Sequence, residues 1–256
     1  ASSEHWDWGG PPSILNIGLN NKKYNEIKKK LNINLASKLY LRFILSYSID
    51  VMRLDEELFD PVVNKTISES SIKEALAIYA EEMSEPFPQN AKQQLEQVLN
   101  SMIRAWNGTT ARLLRQVQNA PEDAGFGLII QRMVLGFGKT ESGSGVAQFV
   151  SPLDGSKKVT GRYLSQSQGK ESLEIENSLF LTKDKRGKSL EEHMPKIFSE
   201  LCRLGEEARF KTRDELELDF TIENEKLWLL DAAPARRSAR AAIKIVIDLV
   251  SDGVYG

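Results

Sequence analysis

The stretch LELDFTIENEKLWLLDA, Leu216 to Ala232, reads as a β-hairpin with a defined register. Apolar and polar residues alternate along its first arm, and ENEK supplies a tight turn around Asn224 to Lys226. If Ile222 faces Trp228, then Phe220 faces Leu230 and Leu218 faces Ala232, which gives one continuous apolar face. In the same register Asp219 lies opposite Asp231, with Glu217 beside it on the polar face. A slip by one residue would put Asp231 among the apolar side chains, at a cost of about several kcal/mol. Carboxylates gathered on one face repel one another, so something positive belongs there. A divalent cation is one answer, because hard oxygen ligands on rigid strands hold Mg²⁺ beside nucleotide phosphates. The other is a solvated acidic face neutralised by Arg236, Arg237 or Arg240. These arginines open a helix expected from Ser238 to about Val250, whose dipole disfavours positive charge at that end, so they serve something anionic.

Upstream, a helix is expected over Ser189 to Arg209, with Met194, Ile197, Phe198, Leu201 and Leu204 on one face. Before it come three short runs rich in β-formers, Gly127 to Val134, Gly145 to Val150 and Lys158 to Ser165, separated by glycine turns. GFGKTESGSGV, Gly136 to Val146, joins the first two. Its glycines and hydroxyls could turn successive amides inward as an anion nest, or could simply form a flexible connection. It is not a Walker A loop, since the glycine spacing and the following helix are missing. The first hundred residues are mostly helical: two helices over Tyr24 to Leu58 broken near Asn32 to Asn34, one after Ser70 or Ser71, and one after Asn90 as N-cap. The expected class is α+β, with a helical part over residues 1–88 and a sheet-and-helix lobe over 89–256.

The 256 residues carry 34 basic and 36 acidic side chains, a net charge of −2 and 41% hydrophobic residues. This balance argues against a nucleic-acid binder, and no run of about 18 apolar residues is present to span a membrane. The start ASSEHWDWGG lacks the features of a secretory signal, and the single Cys202 cannot form an internal disulfide, so a cytoplasmic location is expected. With only His5 and His193, a histidine-rich zinc site is disfavoured. Cys202 on an apolar helix face reads as a structural thiol, His193 as an ordinary histidine, and the lysines from Lys22 to Lys30 as a solvated face.

Several segments, taken in order, resemble the nucleotide-binding, ATP-grasp-like domain of the pyruvate phosphate dikinase and phosphoenolpyruvate synthase family. They are PSILNIGLN (Pro12 to Asn20), EPFPQNAKQQLEQVLNSMIRAWNG (Glu85 to Gly108), IIQRMVLGFGKTESGSGVAQF (Ile129 to Phe149), Gln168 with Gly169, MPKIFSEL (Met194 to Leu201) and LDFTIENEKLWLLDAAPARRSA. The resemblance covers nearly the whole chain. It implies an ATP-grasp-like lobe that passes a phosphoryl group from ATP, with Mg²⁺, to a histidine on a separate domain. Residue by residue it places phosphate contacts on Ser142, Gly143, Ser144, Gly145 and Gly9, and adenine contacts near Gln131 to Val134. It puts the metal on Asp219, with Glu217 as its acidic neighbour and Asp231 opposite.

The sequence departs from the family pattern at three positions. Asp231 stands where glutamine is usual, Ala233 where an arginine contacts the transferring phosphate, and Arg162 where an acidic residue is usual. Phosphoryl transfer rests on positioning and on electrostatic stabilisation by cations, so Arg236 or Arg237 is assigned the missing arginine's part. The function expected is an ATP-binding, dikinase-like phosphotransferase domain; the alternative is a degenerate ATP-grasp-like binding or regulatory module. The family's N-terminal strands have no counterpart here, and the run Gly127 to Val134 is apolar on both faces. A homodimer, or a second chain covering that strand, is therefore expected.

Overall fold

A computed structural model describes residues 2–3, 8, 10–31, 33–168, 178–185 and 187–255. The chain divides into two compact units, Ala1–Met133 and Val134–Gly256. The division expected after residue 88 falls inside the first unit. Gln94 explains the difference: its side-chain amide donates to Leu19 O and Pro88 O, and its carbonyl accepts from Gly18 N, so residues beyond 88 are tied to the first helices.

The first unit is helical. Helix α1 (Asn21–Lys30) starts where the Asn20 side chain accepts from Lys23 N. Helix α2 (Ile33–Ser46) runs into a π-helical turn over Tyr47–Val51. A 3-10 turn, Glu56–Phe59, leads into the short α3 (Asp60–Val63). Helix α4 (Glu69–Met83) is capped two or three residues earlier than expected, by Ser68, with Ser71 completing the capping box from inside the helix. Asn90 caps α5 (Ala91–Trp106) as the sequence predicts, its side chain accepting from Lys92 N and Gln93 N. Helix α6 (Thr109–Val117) follows. The core is aromatic: Phe43, Tyr47, Tyr79 and Phe87 meet mostly edge to face, and Tyr24 stacks on Tyr40.

Among the described residues, sheet structure in this unit is confined to β1 (Ser2–Ser3) against β2 (Phe126–Gly127). The strand expected over Gly127 to Val134 does not form beyond Gly127. Ile129 and Ile130 are 72% and 66% exposed in irregular backbone. An apolar run becomes a strand only where partner backbone receives its amides and carbonyls, and the described residues offer none here. The open-edge argument for a homodimer or second chain falls with that strand.

The second unit is an antiparallel five-stranded sheet in the order β5-β4-β3-β6-β7, built from β3 (Gly143–Val150), β4 (Lys157–Ser165), β5 (Leu179–Phe180), β6 (Leu216–Glu223) and β7 (Lys226–Pro234). The helix expected over Ser189 to Arg209 is broken by Pro195 into α7 (Leu190–His193) and α8 (Pro195–Thr212). Ala147, Tyr163, Phe220, Ile222 and Leu227 form the apolar face of the sheet and pack with Leu190 and Leu201 from these helices. Helix α9 (Ala239–Ser251), expected to begin at Ser238, has that residue as its N-cap and buries Ala241, Ile245 and Leu249 against Val150 and Ala235. The α+β class therefore holds. No helix among the described residues is long and apolar enough to cross a membrane.

Candidate functional site

The hairpin forms with the expected register at its base and a different one near its turn. Leu218 pairs with Ala232 and Asp219 with Asp231, but the pairing shifts between Asp219 and Phe220. Beyond the shift Phe220 opposes Leu229 rather than Leu230, and Ile222 opposes Leu227 rather than Trp228. The extra residue is a bulge on β7. Asn224 and Glu225, both with positive φ (50° and 64°), make the two-residue turn that favours this shortened end.

Because β3 lies between β4 and β6, the polar face of the sheet can be followed row by row. One row holds Arg162, Val146, Asp219 and Asp231, and the next holds Thr160, Gln148, Glu217 and Ala233. Asp219 keeps its Oδ1 shielded from solvent. Glu217 is largely covered, and Arg236 Nε lies 3.6 Å from its carboxylate. Asp231 is exposed, and its Oδ1 accepts from Ala232 N at 2.8 Å. No group of three His, Cys, Asp or Glu side chains among the described residues is arranged to hold a metal ion. The expected trio of metal ligands is thus not assembled as a cage.

The arginines separate into different roles. Arg237 donates two parallel bonds, both 2.7 Å, to the Asp214 carboxylate and a third bond to Ala235 O. That fork raises the guanidinium pKa and commits the side chain to the fold. The arginine expected at a transferring phosphate is thus bound to Asp214 in this structure. Arg236 is 82% exposed beside Glu217, while its backbone carbonyl accepts from Gln148 Nε2. Arg162 lies over the Phe180 ring, 3.8 Å from the centroid.

The glycine-rich stretch is more rigid than a nest. Gly143, Ser144 and Gly145 belong to β3, which is paired on both sides, so this backbone is committed to ladders rather than turned inward around an anion. A Cβ on Gly145 would stand 2.2 Å from Phe220 Cζ, and one on Gly143 2.2 Å from Leu164 O and 2.6 Å from Tyr163 Oη. These glycines make room for two stacked rings, Tyr163 and Phe220. Ser144 Oγ donates to Ser167 O and meets Thr221 Oγ1, and buried Ser142 donates to Thr140 O and accepts from Asn224 N. Only the preceding loop is open, with Lys139 and Thr140 exposed.

Sequence reasoning did not single out the residues that hold this loop. Asn224 Oδ1 accepts from Lys139 N, Gln166 bonds Gly138 through both its amide atoms, and Glu223 accepts from Leu135 N. Glu141 accepts from Tyr163 Oη at 2.9 Å, and its other oxygen lies 3.5 Å from His193 Nε2. Burial first, and Glu141 second, push the Tyr163 phenol far above its usual range. The one available signal was Asn224, a turn residue whose side chain could reach back.

Gln131 is exposed and Val134 half-buried in irregular backbone, and Gly9 and Gly169 lie outside the described residues. Cys202 is half-buried with its thiol pKa raised by burial, in keeping with a structural role.

No protein-family model matches the chain. Among curated proteins it is 30% identical over 260 residues to pyruvate, phosphate dikinase of Clostridium symbiosum, covering 94% of the chain and 29% of that protein. The enzyme of the same name from Rickettsia conorii is 28% identical with the same coverage, and the chloroplastic one from Flaveria trinervia is 26% identical. The chain spans less than a third of the length of these relatives. This similarity along nearly all of its own length supports a domain of the pyruvate, phosphate dikinase family.

Proposed function

We propose that the Val134–Gly256 unit binds ATP as its Mg²⁺ complex on the polar face of the sheet, as the nucleotide-binding part of a dikinase-type phosphotransferase. The observation that carries this reading is the placement of Asp219 and Glu217. They sit two residues apart on β6, facing the same side, with Asp219 Oδ1 withdrawn from solvent and a cationic side chain, Arg236, beside Glu217. Mg²⁺ beside phosphates is held by one or two carboxylates, the phosphates themselves and water rather than by an all-protein cage. A pair of hard oxygen donors without a third ligand fits a metal that arrives with its nucleotide. When bound, the metal would neutralise charge on the phosphates.

The remaining parts follow from this arrangement. Asp219 and Glu217 would hold the metal. The β3–β4–β6 framework, locked by Tyr163 and Phe220 against Gly143 and Gly145, would keep those carboxylates fixed. Lys139, exposed on the open loop, and Arg236 would supply the cations that attract and orient phosphate oxygens. Pyruvate and inorganic phosphate, named by the relatives, belong to this proposal only as the substrates of the wider reaction.

Calorimetric titration with ATP, with and without Mg²⁺, tests the reading. Saturable binding of Mg-ATP that weakens when magnesium is chelated, and again in Asp219→Ala, is the expected result. Folded protein that takes up no heat with Mg-ATP at millimolar concentration overturns it.

A further inference from the structure

A cavity of about 520 Å³ opens in the helical unit where α5 gives way to α6. Arg53, Ser101, Arg104, Thr109, Thr110 and Leu114 contribute to its wall, which contains no carboxylate. The exposed side chains of Arg53 and Arg104 have no hydrogen-bond or ion-pair partner among the described residues. Several other arginines are engaged: Arg209 with Glu215 and Asp252, Arg237 with Asp214, Arg203 with Glu207, and Arg115 with Trp106 O.

Two permanent positive charges on one concave wall repel each other, and the low-dielectric wall concentrates their field. An anion relieves both effects. Guanidinium forks match the oxygens of a phosphate in a bidentate manner, and the Thr109 and Thr110 hydroxyls are donors for the oxygens the forks leave over. Leu114 and the small residues Ala105 and Ala111 give the same cavity an apolar side for a short carbon skeleton. The volume exceeds what a bare phosphate fills.

We propose that this cavity binds a small phosphate monoester, with Arg53 and Arg104 engaging the phosphate group. The two arginines set the ligand class, and the site is independent of the nucleotide reading of the sheet.

The test is an NMR titration of the whole chain with glycerol 3-phosphate, following the amides of Gly108, Thr109 and Thr110, with inorganic phosphate and glycerol as separate arms. Saturable shifts with the ester, competition by inorganic phosphate and no response to glycerol are expected. Arg104→Gln and Arg53→Asn should each weaken binding by about tenfold or more. Asparagine is chosen because Arg53 holds a φ of 64°, which that residue tolerates. Arg104→Lys should bind more weakly than the parent but better than Arg104→Gln, and Asp219→Ala should bind like the parent. A folded protein with no saturable shift up to about 10 mM ester overturns the proposal. So does binding that is equally tight once both arginines are replaced.

Discussion

Asp219 and Asp231 stand opposite each other in the β6–β7 ladder, and the pairing slips by one residue immediately beyond them. The slip moves the buried position of β7 from where strict alternation would put it. Leu227 is 7% exposed, whereas Leu229 is 38% exposed and Leu230 only half-buried. Leu227→Asp should therefore cost about 3 kcal/mol or more in urea unfolding, and Leu230→Asp distinctly less. Asp231→Asn should leave stability unchanged or raise it slightly, since it removes one of two facing like charges on an exposed strand. A larger loss in Leu230→Asp than in Leu227→Asp would place the bulge elsewhere.

That hairpin also shows what the sequence can and cannot disclose. Alternation in LELDFTIE fixes one arm, because each apolar residue must reach the same face. KLWLLD holds four apolar residues in a row, so no alternation marks where the bulge falls. Asn90 is legible as a cap because an N-cap bond is local, reaching two or three residues along the chain. The Arg237–Asp214 fork spans 23 residues and could not be read in the same way. GLIIQRMV was misread as a strand because apolar content says nothing about whether partner backbone is present. Glu217 and Asp219 were legible as neighbours on one face, since strand periodicity alone puts them there.

The glycines of β3 make a prediction opposite to that of a phosphate nest. A Cβ at Gly145 would overlap Phe220 Cζ and approach Arg162 O at 2.8 Å, so Gly145→Ala should lower stability by about 1–3 kcal/mol. The loss should appear in thermal unfolding without any nucleotide. Gly143→Val should do more, with Leu164 O and the Tyr163 hydroxyl in the way. A Gly145→Ala variant as stable as the parent but deficient only in nucleotide binding would show that the ring-packing account is wrong.

Acid should weaken the turn between β3 and β4 through Asp154. Bonds from Ser156 N, then from the Ser151 and Ser156 hydroxyls, hold its carboxyl down at about 2. A carboxyl depressed in the folded state contributes stability above its unfolded pKa and loses it as pH falls through the folded value. The contribution should be complete above about pH 4 and disappear toward pH 2. Asp154→Asn should flatten this part of the melting-temperature profile and lower the plateau near neutrality, where the carboxylate's contribution is complete. An unchanged acid limb in Asp154→Asn would exclude the turn as its source.

Arg236 and Arg237 are adjacent in sequence, yet they should behave as different kinds of residue. Arg237→Ala removes a two-bond fork and strands Asp214, so unfolding free energy should fall by about 1 kcal/mol or more. Any loss of Mg-ATP affinity in that variant should be restored under conditions that restabilise the fold, such as added sucrose. Arg236→Ala removes an exposed side chain and should leave stability within about 0.5 kcal/mol of the parent. Its Mg-ATP affinity should nevertheless drop several-fold, and the drop should shrink as ionic strength rises, because the lost attraction is a screened one between an exposed cation and phosphate. Asp219→Asn should weaken Mg-ATP binding but leave metal-free ATP binding unchanged or improved, since it removes a negative charge that only the metal requires. If Arg236→Ala binds Mg-ATP as the parent does while Arg237→Ala loses binding at unchanged stability, the roles are reversed and the phosphates lie nearer Asp214 than Glu217.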